Sequence, residues 1–201
     1  MSDQNRSPLR PELFAQVSTL VREVPALVHT WRFAAGALFA LSEWYRLAEK
    51  TPQVRHVETK YISDVERLVD AIRDGVPPDD EWLRGFHYNA AVMRIDALYE
   101  RLFRAVLGDK SKVDGAALYA SLQTRYSRLL PEAYKRSLFA SVREEANSLK
   151  HYVGGAAPSL RERVTILCTA LEHLFAFVSD RDVKALLQRE YGNRKPVSGK
   201  A

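Results

Sequence analysis

The stretch that decides the fold assignment is Pro131-Glu-Ala-Tyr-Lys-Arg-Ser-Leu-Phe-Ala-Ser-Val-Arg-Glu-Glu-Ala-Asn-Ser-Leu-Lys-His-Tyr-Val-Gly-Gly155. Proline is favoured at the first position of a helix and glycine just past the last, so both ends of the stretch match helix ends. The apolar residues between them recur at helical spacing and are Leu138, Val142, Leu149 and Val153. We therefore predict a helix over residues 131–153 that buries this stripe.

The rest of the chain repeats the same helical pattern. The predicted helices cover residues 11–22, 25–49, 52–74, 81–107, 115–130, 131–153, 160–178 and 181–191. Residues that favour helix borders stand between them: Thr51, Asp114, Ser159 and Asp180 at starts, and Gly75, Gly154 and Gly192 at ends. No segment of adequate length alternates with the period of two that a half-buried strand requires. The sequence therefore predicts an all-α fold, a helical bundle of about seven helices.

The sharpest break in the chain is Val76-Pro-Pro-Asp-Asp80, because two adjacent prolines interrupt a helix. The break separates a predicted N-terminal helical extension over residues 1–78 from a helical bundle over residues 79–192. Residues 193–201 are predicted to form a basic disordered tail.

Composition limits the class of protein. The chain has 201 residues, of which 46% are hydrophobic and 27% charged, as expected for a folded domain. Its net charge of +5 permits a polyanion partner such as nucleic acid without requiring one. The single cysteine, Cys168, excludes an intrachain disulfide, and its apolar neighbours predict a buried and unreactive thiol.

Membrane insertion is not expected. The first residues lead into no apolar run, and the most apolar window, Phe33 to Leu41, is shorter than the ~20 residues that cross a bilayer. We therefore predict a cytoplasmic protein without a membrane partner.

Three polar residues follow one another along the helix predicted over residues 131–153. Arg143, Asn147 and His151 are spaced four residues apart and so lie on one side of it, with Lys150 next to His151. Arginine and histidine bind phosphate, and histidine transfers protons near neutral pH. A structural role is the alternative, because cations in a last turn are favoured by the exposed carbonyls.

A second polar segment, His87-Tyr88-Asn89, interrupts the apolar pattern of the helix over residues 81–107. If that helix packs on the helix that contains His151, either His87 or Asn89 could face His151 and contact a phosphate. The alternative is an exposed polar patch without a binding role.

Metal and cofactor sites are not predicted. A di-iron bundle uses Glu-x-x-His pairs, and the residues three positions before the five histidines are Ala26, Gln53, Arg84, Ser148 and Ala170. The sequence also has no HExxH motif, no zinc-type Cys/His set and no glycine-rich phosphate loop. We therefore expect no cofactor and no metal.

Two segments together resemble HEPN domains: Met93-Arg-Ile-Asp-Ala-Leu-Tyr-Glu-Arg-Leu102 in one long helix, and Asn147-Ser-Leu-Lys-His151 at the end of another. The resemblance covers residues 80–180. It implies a core of four to five helices in a family whose members are metal-independent ribonucleases of defence and toxin–antitoxin systems, or inactive RNA-binding and partner modules. Ala146 stands where the pattern has an arginine. The nearest arginine, Arg143, has its Cα roughly 12 Å from that of His151.

The resemblance implies a role for each polar residue. His151 would act as general acid or base, Arg143 would stabilise charge on the scissile phosphate, and Asn147 would orient one of them. The implied partners are RNA and a second copy of the chain in a homodimer. Ala146 favours a different function, a non-catalytic adaptor whose apolar helix over residues 25–49 binds a protein. A bundle that binds a small ligand among its aromatic residues is the third alternative.

Overall fold

Eight α-helices and one short 3-10 helix contain nearly all of the residues that the structure describes. The computed structural model describes residues 11–50, 61–76, 80–108, 115–127, 132–151 and 160–194. The helices are α1 (Pro11–Glu23), a 3-10 turn (Pro25–Leu27), α2 (Val28–Lys50), α3 (Tyr61–Asp74), α4 (Asp80–Leu107), α5 (Gly115–Arg125), α6 (Glu132–His151), α7 (Leu160–Ser179) and α8 (Arg181–Tyr191). These residues contain no strand, and the predicted all-α class is confirmed.

Local chemistry explains several helix ends. The Asp180 carboxylate accepts hydrogen bonds from the backbone N–H groups of Asp182 and Val183 and so caps α8, as predicted. Gly75 ends α3 with φ of +66°, and the N–H of the next residue, Val76, donates to the carbonyl of Ala71 at 3.1 Å. This left-handed ending favours glycine. The predicted borders at Thr51, Asp114, Ser159 and Gly154 lie outside the described residues.

The antiparallel pair α2 and α4 forms the centre of the bundle. The guanidinium of Arg84 lies 4.6 Å from the ring centroid of Trp44, and that of Arg101 lies 4.7 Å from the ring of Phe33. Since the residue numbers rise along α4 as they fall along α2, the two helices run in opposite directions. The apolar helix predicted over residues 25–49 therefore has its partner inside the chain, and it buries most of its large side chains there.

One continuous core joins the N-terminal helices to the rest of the chain. Buried residues from α1 and α2 belong to the same apolar cluster as those from α4 to α8. At the edge of this core, Lys184 Nζ of α8 lies 2.7 Å from Glu23 Oε2 of α1. The proline break near residue 78 interrupts the helices of the chain without dividing its core.

An aromatic cluster holds α4, α5, α6 and α7 together. Phe103 of α4 is only 1% exposed and lies within 5.3 to 6.3 Å, between ring centroids, of four other rings. These rings belong to Tyr99, Tyr119, Phe139 and Phe177. Offset and edge-on contacts between rings at such distances add to the stability gained from burial.

The stripe predicted on α6 is buried in its first part only. Leu138 and Val142 are buried, as predicted, but Leu149 is half-buried and packs against the margin of the core. Val153 lies outside the described residues. The expectation that Leu149 is fully buried was wrong, because its turn belongs to the more exposed C-terminal part of α6.

Within the described residues, no single helix is long and apolar enough to cross a membrane. Among the same residues one helix pair, Pro11–Glu23 with Pro25–Ala48, passes the length and composition test together, and it is bent by 114°.

We predict that Phe103→Ala lowers the free energy of unfolding by about 3–5 kcal/mol, because it removes a ring from the centre of the aromatic cluster. Chemical denaturation measures this change. Phe39→Ala on α2 is the matched control, since the Phe39 side chain is 62% exposed, and its effect should be below about 0.5 kcal/mol. Equal effects of the two substitutions would show that the cluster is not the centre of the core.

We also predict that the Cys168 thiol is inert in the native protein. Cys168 is buried, and this burial raises its pKa to about 12, so very little thiolate forms at pH 8. Ellman's reagent should therefore modify the native chain at least about 100-fold more slowly than the chain unfolded in denaturant. Cys168→Ser gives the background absorbance, and similar rates in the two states would contradict the prediction.

Candidate functional site

The Arg143 side chain joins α6 to α4 through two carboxylates. Its Nη1 atom donates to both carboxylate oxygens of Asp96, at 2.9 and 2.8 Å, and lies 3.4 Å from Glu100 Oε2. The other Glu100 oxygen pairs with Arg104 at 3.1 Å. Asp96, Glu100 and Arg104 are spaced four residues apart and so lie on one side of α4. With Arg143 of α6 between Asp96 and Glu100, the charges of the cluster alternate between negative and positive.

The burial of Asp96 makes a charged partner for its carboxylate favourable. Asp96 is only 4% exposed, and a carboxylate in such surroundings is unfavourable unless it is paired and hydrogen-bonded. Partial burial alone would lower the pKa of Arg143, but its hydrogen bond to Asp96 and the charges of Asp96 and Glu100 outweigh this effect and raise the pKa. Arg143 is therefore charged at every physiological pH.

Glu145, two residues further along α6, forms a second cluster. Its Oε1 atom accepts a hydrogen bond from the Tyr88 hydroxyl at 3.0 Å and one from Arg163 Nη1 at 2.8 Å. Burial and then the negative charge of Glu145 raise the pKa of Tyr88, so the hydroxyl keeps its proton and donates. Glu145 thereby connects α6 to both α4 and α7.

Arg143 and Asn147 lie on the same side of α6, as their spacing predicted. Asn147 is exposed one turn after Arg143, and His151 is the last residue of the helix. The side chains of Lys150 and His151 lie outside what the structure describes. Because α4 and α6 are antiparallel, Asp96 and Glu100 lie further from His151 than Tyr88 does. Their contacts with Arg143 hold its guanidinium on the side away from His151.

The burial of position 146 explains why alanine, and not arginine, stands directly before Asn147. The Ala146 side chain is 0% exposed and belongs to the core. An arginine at this position would have its side chain in apolar surroundings, where an unpaired charge is strongly unfavourable. In this chain a cation at position 146 is therefore incompatible with the packing of α6.

In the segment His87-Tyr88-Asn89, the middle residue donates a hydrogen bond to Glu145 of α6. α4 does pack on α6, but His87 lies beside α2, with its ring 6.3 Å from that of Phe39. Asn89 is 3% exposed, so the predicted contact of Asn89 with RNA is corrected: its side chain is inside the protein. Consecutive helical residues differ by about 100° in direction, which is why these three neighbours have different surroundings.

Protonation also changes the expected role of His87. Burial lowers the pKa of His87, and the positive charges of Arg46 and Arg94 lower it further, although Glu43 opposes them. The ring is therefore mostly neutral at pH 7 and does not offer a full positive charge to a phosphate.

Sequence reasoning missed the acidic half of the site. Asp96, Glu100 and Glu145 orient the predicted arginine and connect the helices, yet they resemble ordinary surface charges in the sequence. One signal was present: Asp96 directly follows Ile95 and lies two residues before Leu98, two residues that the structure buries completely. A carboxylate on the buried side of a helix needs a cation from a neighbouring helix.

In the described ranges, no group of three or more His, Cys, Asp or Glu side chains is arranged to hold a metal ion. No protein-family model, curated protein or solved structure matches this chain. Its function must therefore be inferred from the geometry of its own residues.

We predict that Arg143→Ala lowers the free energy of unfolding by about 2–4 kcal/mol, because it removes the guanidinium that donates to both oxygens of the buried Asp96. The range is below the ~3–5 kcal/mol of a fully buried pair, since Arg143 is partly exposed. Combining it with Asp96→Asn should cost less than the sum of the single changes, by roughly 0.5–3 kcal/mol.

Denaturation curves of the four proteins in this double-mutant cycle measure the coupling. Arg189→Ala is the matched control, because it breaks an exposed pair with Glu190 on α8 and should leave stability almost unchanged. Additive effects of the Arg143 and Asp96 substitutions would contradict the role given to this pair.

Proposed function

We propose that this chain is a HEPN-like, RNA-binding helical protein of a prokaryotic defence or toxin–antitoxin type system. We further propose that RNA binds along the side of α6 that contains Arg143, Asn147 and His151. Support comes from the order of these residues: a partly exposed cation, an exposed amide one turn later, and a histidine at the end of the helix. A basic chain with a net charge of +5 is compatible with this ligand.

The observation that carries the proposal is how Arg143 is held. All of its hydrogen bonds to described residues leave from Nη1. The N–H groups on Nε and Nη2 form the other edge of the guanidinium, and such an edge matches two phosphate oxygens. Asp96 thus fixes the orientation of Arg143 and leaves it able to bind a phosphate.

As an enzyme, the protein would cleave RNA without a metal. The ribose 2′-hydroxyl would lose its proton to water and attack the neighbouring phosphorus, forming a 2′,3′-cyclic phosphate and breaking the bond to the 5′ oxygen. His151 is proposed to donate a proton to the leaving oxygen in this step. Arg143 would stabilise the charge on the phosphate, and Asn147 would orient the phosphate or His151.

A non-catalytic adaptor is the second candidate function. It is supported by the two carboxylates around Arg143, which balance its charge, and by the buried Ala146 in place of an arginine. In that case Arg143 and Asp96 would only join α6 to α4, and the chain would act through a protein partner.

We predict that the purified protein cleaves single-stranded RNA in the presence of EDTA and that His151→Ala abolishes this cleavage. Asn147→Ala should weaken RNA binding, and Arg143→Lys should reduce cleavage, because lysine keeps the charge near Asp96 but lacks the flat edge of arginine. Gel assays of cleavage and anisotropy of labelled RNA measure these effects.

Gln188→Ala is the matched control for Asn147→Ala, since Gln188 also carries an exposed amide on a helix. Unfolding curves of all variants separate loss of function from loss of fold. If no RNA is cleaved but Asn147→Ala still weakens binding, the enzymatic part of the proposal is wrong. If no RNA is bound, the adaptor is the better description.

A further inference from the structure

A second surface of the protein combines cations with an exposed aromatic side chain. It consists of two columns of side chains, one on α2 and one on α4, in which successive members are seven residues apart. We call this surface the α2–α4 face. Seven residues are about two turns, so each column lies along one side of its helix. The members are Arg32, Phe39 and Arg46 on α2 and His87, Arg94 and Arg101 on α4.

The antiparallel packing of the two helices brings the columns side by side. Phe39 meets His87 near one end, with 6.3 Å between ring centroids. At the other end the Arg101 guanidinium lies 4.7 Å from the ring centroid of Phe33. Arginines and aromatic rings therefore alternate along the groove between α2 and α4.

Gly36 gives Arg94 its place in this groove. A Cβ atom at Gly36 would lie only 2.6 Å from Arg94 Nε and 2.8 Å from Arg94 Cδ. A glycine inside a helix is less favourable than alanine by roughly 0.5–1 kcal/mol, and the need to accommodate Arg94 explains its presence here. Arg94 Nη1 also donates to the carbonyl of Ala90 at 3.2 Å, so the side chain lies along the surface of the bundle.

Phe39 is the uncovered aromatic residue of the face. It is a large ring on the outer side of α2, next to the half-buried His87. Proteins that bind single-stranded nucleic acids stack bases on such rings beside cations that contact phosphates. An acidic peptide would satisfy the arginines but would leave the exposed ring without a matching partner.

The charge of the face also favours a polyanion. It contains four arginines, and one of them, Arg46, pairs with the neighbouring Glu43 at 2.8 Å. Arg32 and Arg101 are exposed at the same end of the groove, and Arg94 lies between that end and Phe39. An RNA strand in the groove would meet arginines on both sides of the exposed ring.

We propose that the α2–α4 face binds a segment of single-stranded RNA, with Phe39 stacked on a base and Arg32, Arg94 and Arg101 in contact with phosphates. This inference rests on the proposed function in taking RNA as the ligand. It adds a site, because α4 contacts α2 through His87 and Arg101 and contacts α6 through Tyr88 and Asp96. The two sites therefore lie on different sides of α4.

The experiment measures binding of a fluorescein-labelled oligouridylate of about 20 nucleotides to the full chain by anisotropy. Phe39→Ala should weaken binding roughly 5- to 100-fold, the loss expected for one stacked base, and Phe39→Trp should restore it. Replacing Arg32 and Arg101 together by alanine should make the slope of log K against log salt less negative by about 1.4, because two phosphate contacts are lost. Gly36→Ala should weaken binding by displacing Arg94, although alanine favours the helix.

Two control variants are matched to these changes. Arg189→Ala removes an exposed arginine from α8, and Ile72→Ala removes an exposed apolar side chain from α3; both should bind RNA as the unchanged protein does. If the variants of the α2–α4 face also bind normally while Asn147→Ala weakens binding, this inference is wrong and the proposed function stands. The reverse result supports the inference and removes α6 from the RNA site. Preferential binding of a polyglutamate peptide at this face, or no binding of RNA at all, would overturn the inference.

Discussion

The structure depends on a carboxylate that α4 carries into the interior. There Arg143 of α6 donates to both oxygens of Asp96 and offsets the cost of burying its charge. Apolar packing between two helices accepts several alignments at similar cost, whereas one buried ion pair accepts few. We regard this pair as the contact that selects a single alignment of α6 on α4, and the aromatic cluster around Phe103 then packs to match it.

This constraint also determines what α6 can offer to a ligand. Arg143 Nη1 is held by the Asp96 carboxylate of α4. Two residues further along α6, Glu145 accepts a hydrogen bond from Arg163 of α7. The turn that follows carries the exposed Asn147. A helix whose middle part is fixed by ion pairs is suited to present such an exposed polar group to an anion.

The fold class and the helix borders at Gly75 and Asp180 could be predicted because they depend on local signals. Apolar periodicity predicted the helices. The Asp180 carboxylate caps the start of α8, and Gly75, which has no side chain, permits the left-handed end of α3. The contacts of Arg143 with its acidic partners could not be predicted, nor could those of Glu145 with its two donors. These contacts join residues from 18 to 57 positions apart in the sequence. Which side of α4 each of His87, Tyr88 and Asn89 faces likewise depends on three neighbouring helices, and sequence spacing alone does not define their positions.

The shared core has a consequence for how the chain reaches its native state. α2 completes its apolar contacts only when α4 is present, and Glu23 of α1 meets Lys184 near the other end of the chain. A ribosome has therefore synthesised most of the protein before the first helices can be fully buried, and until then their apolar surfaces remain open to aggregation or to chaperones. The break near residue 78 would be a poor place to cut the gene, because neither fragment would contain a complete interior.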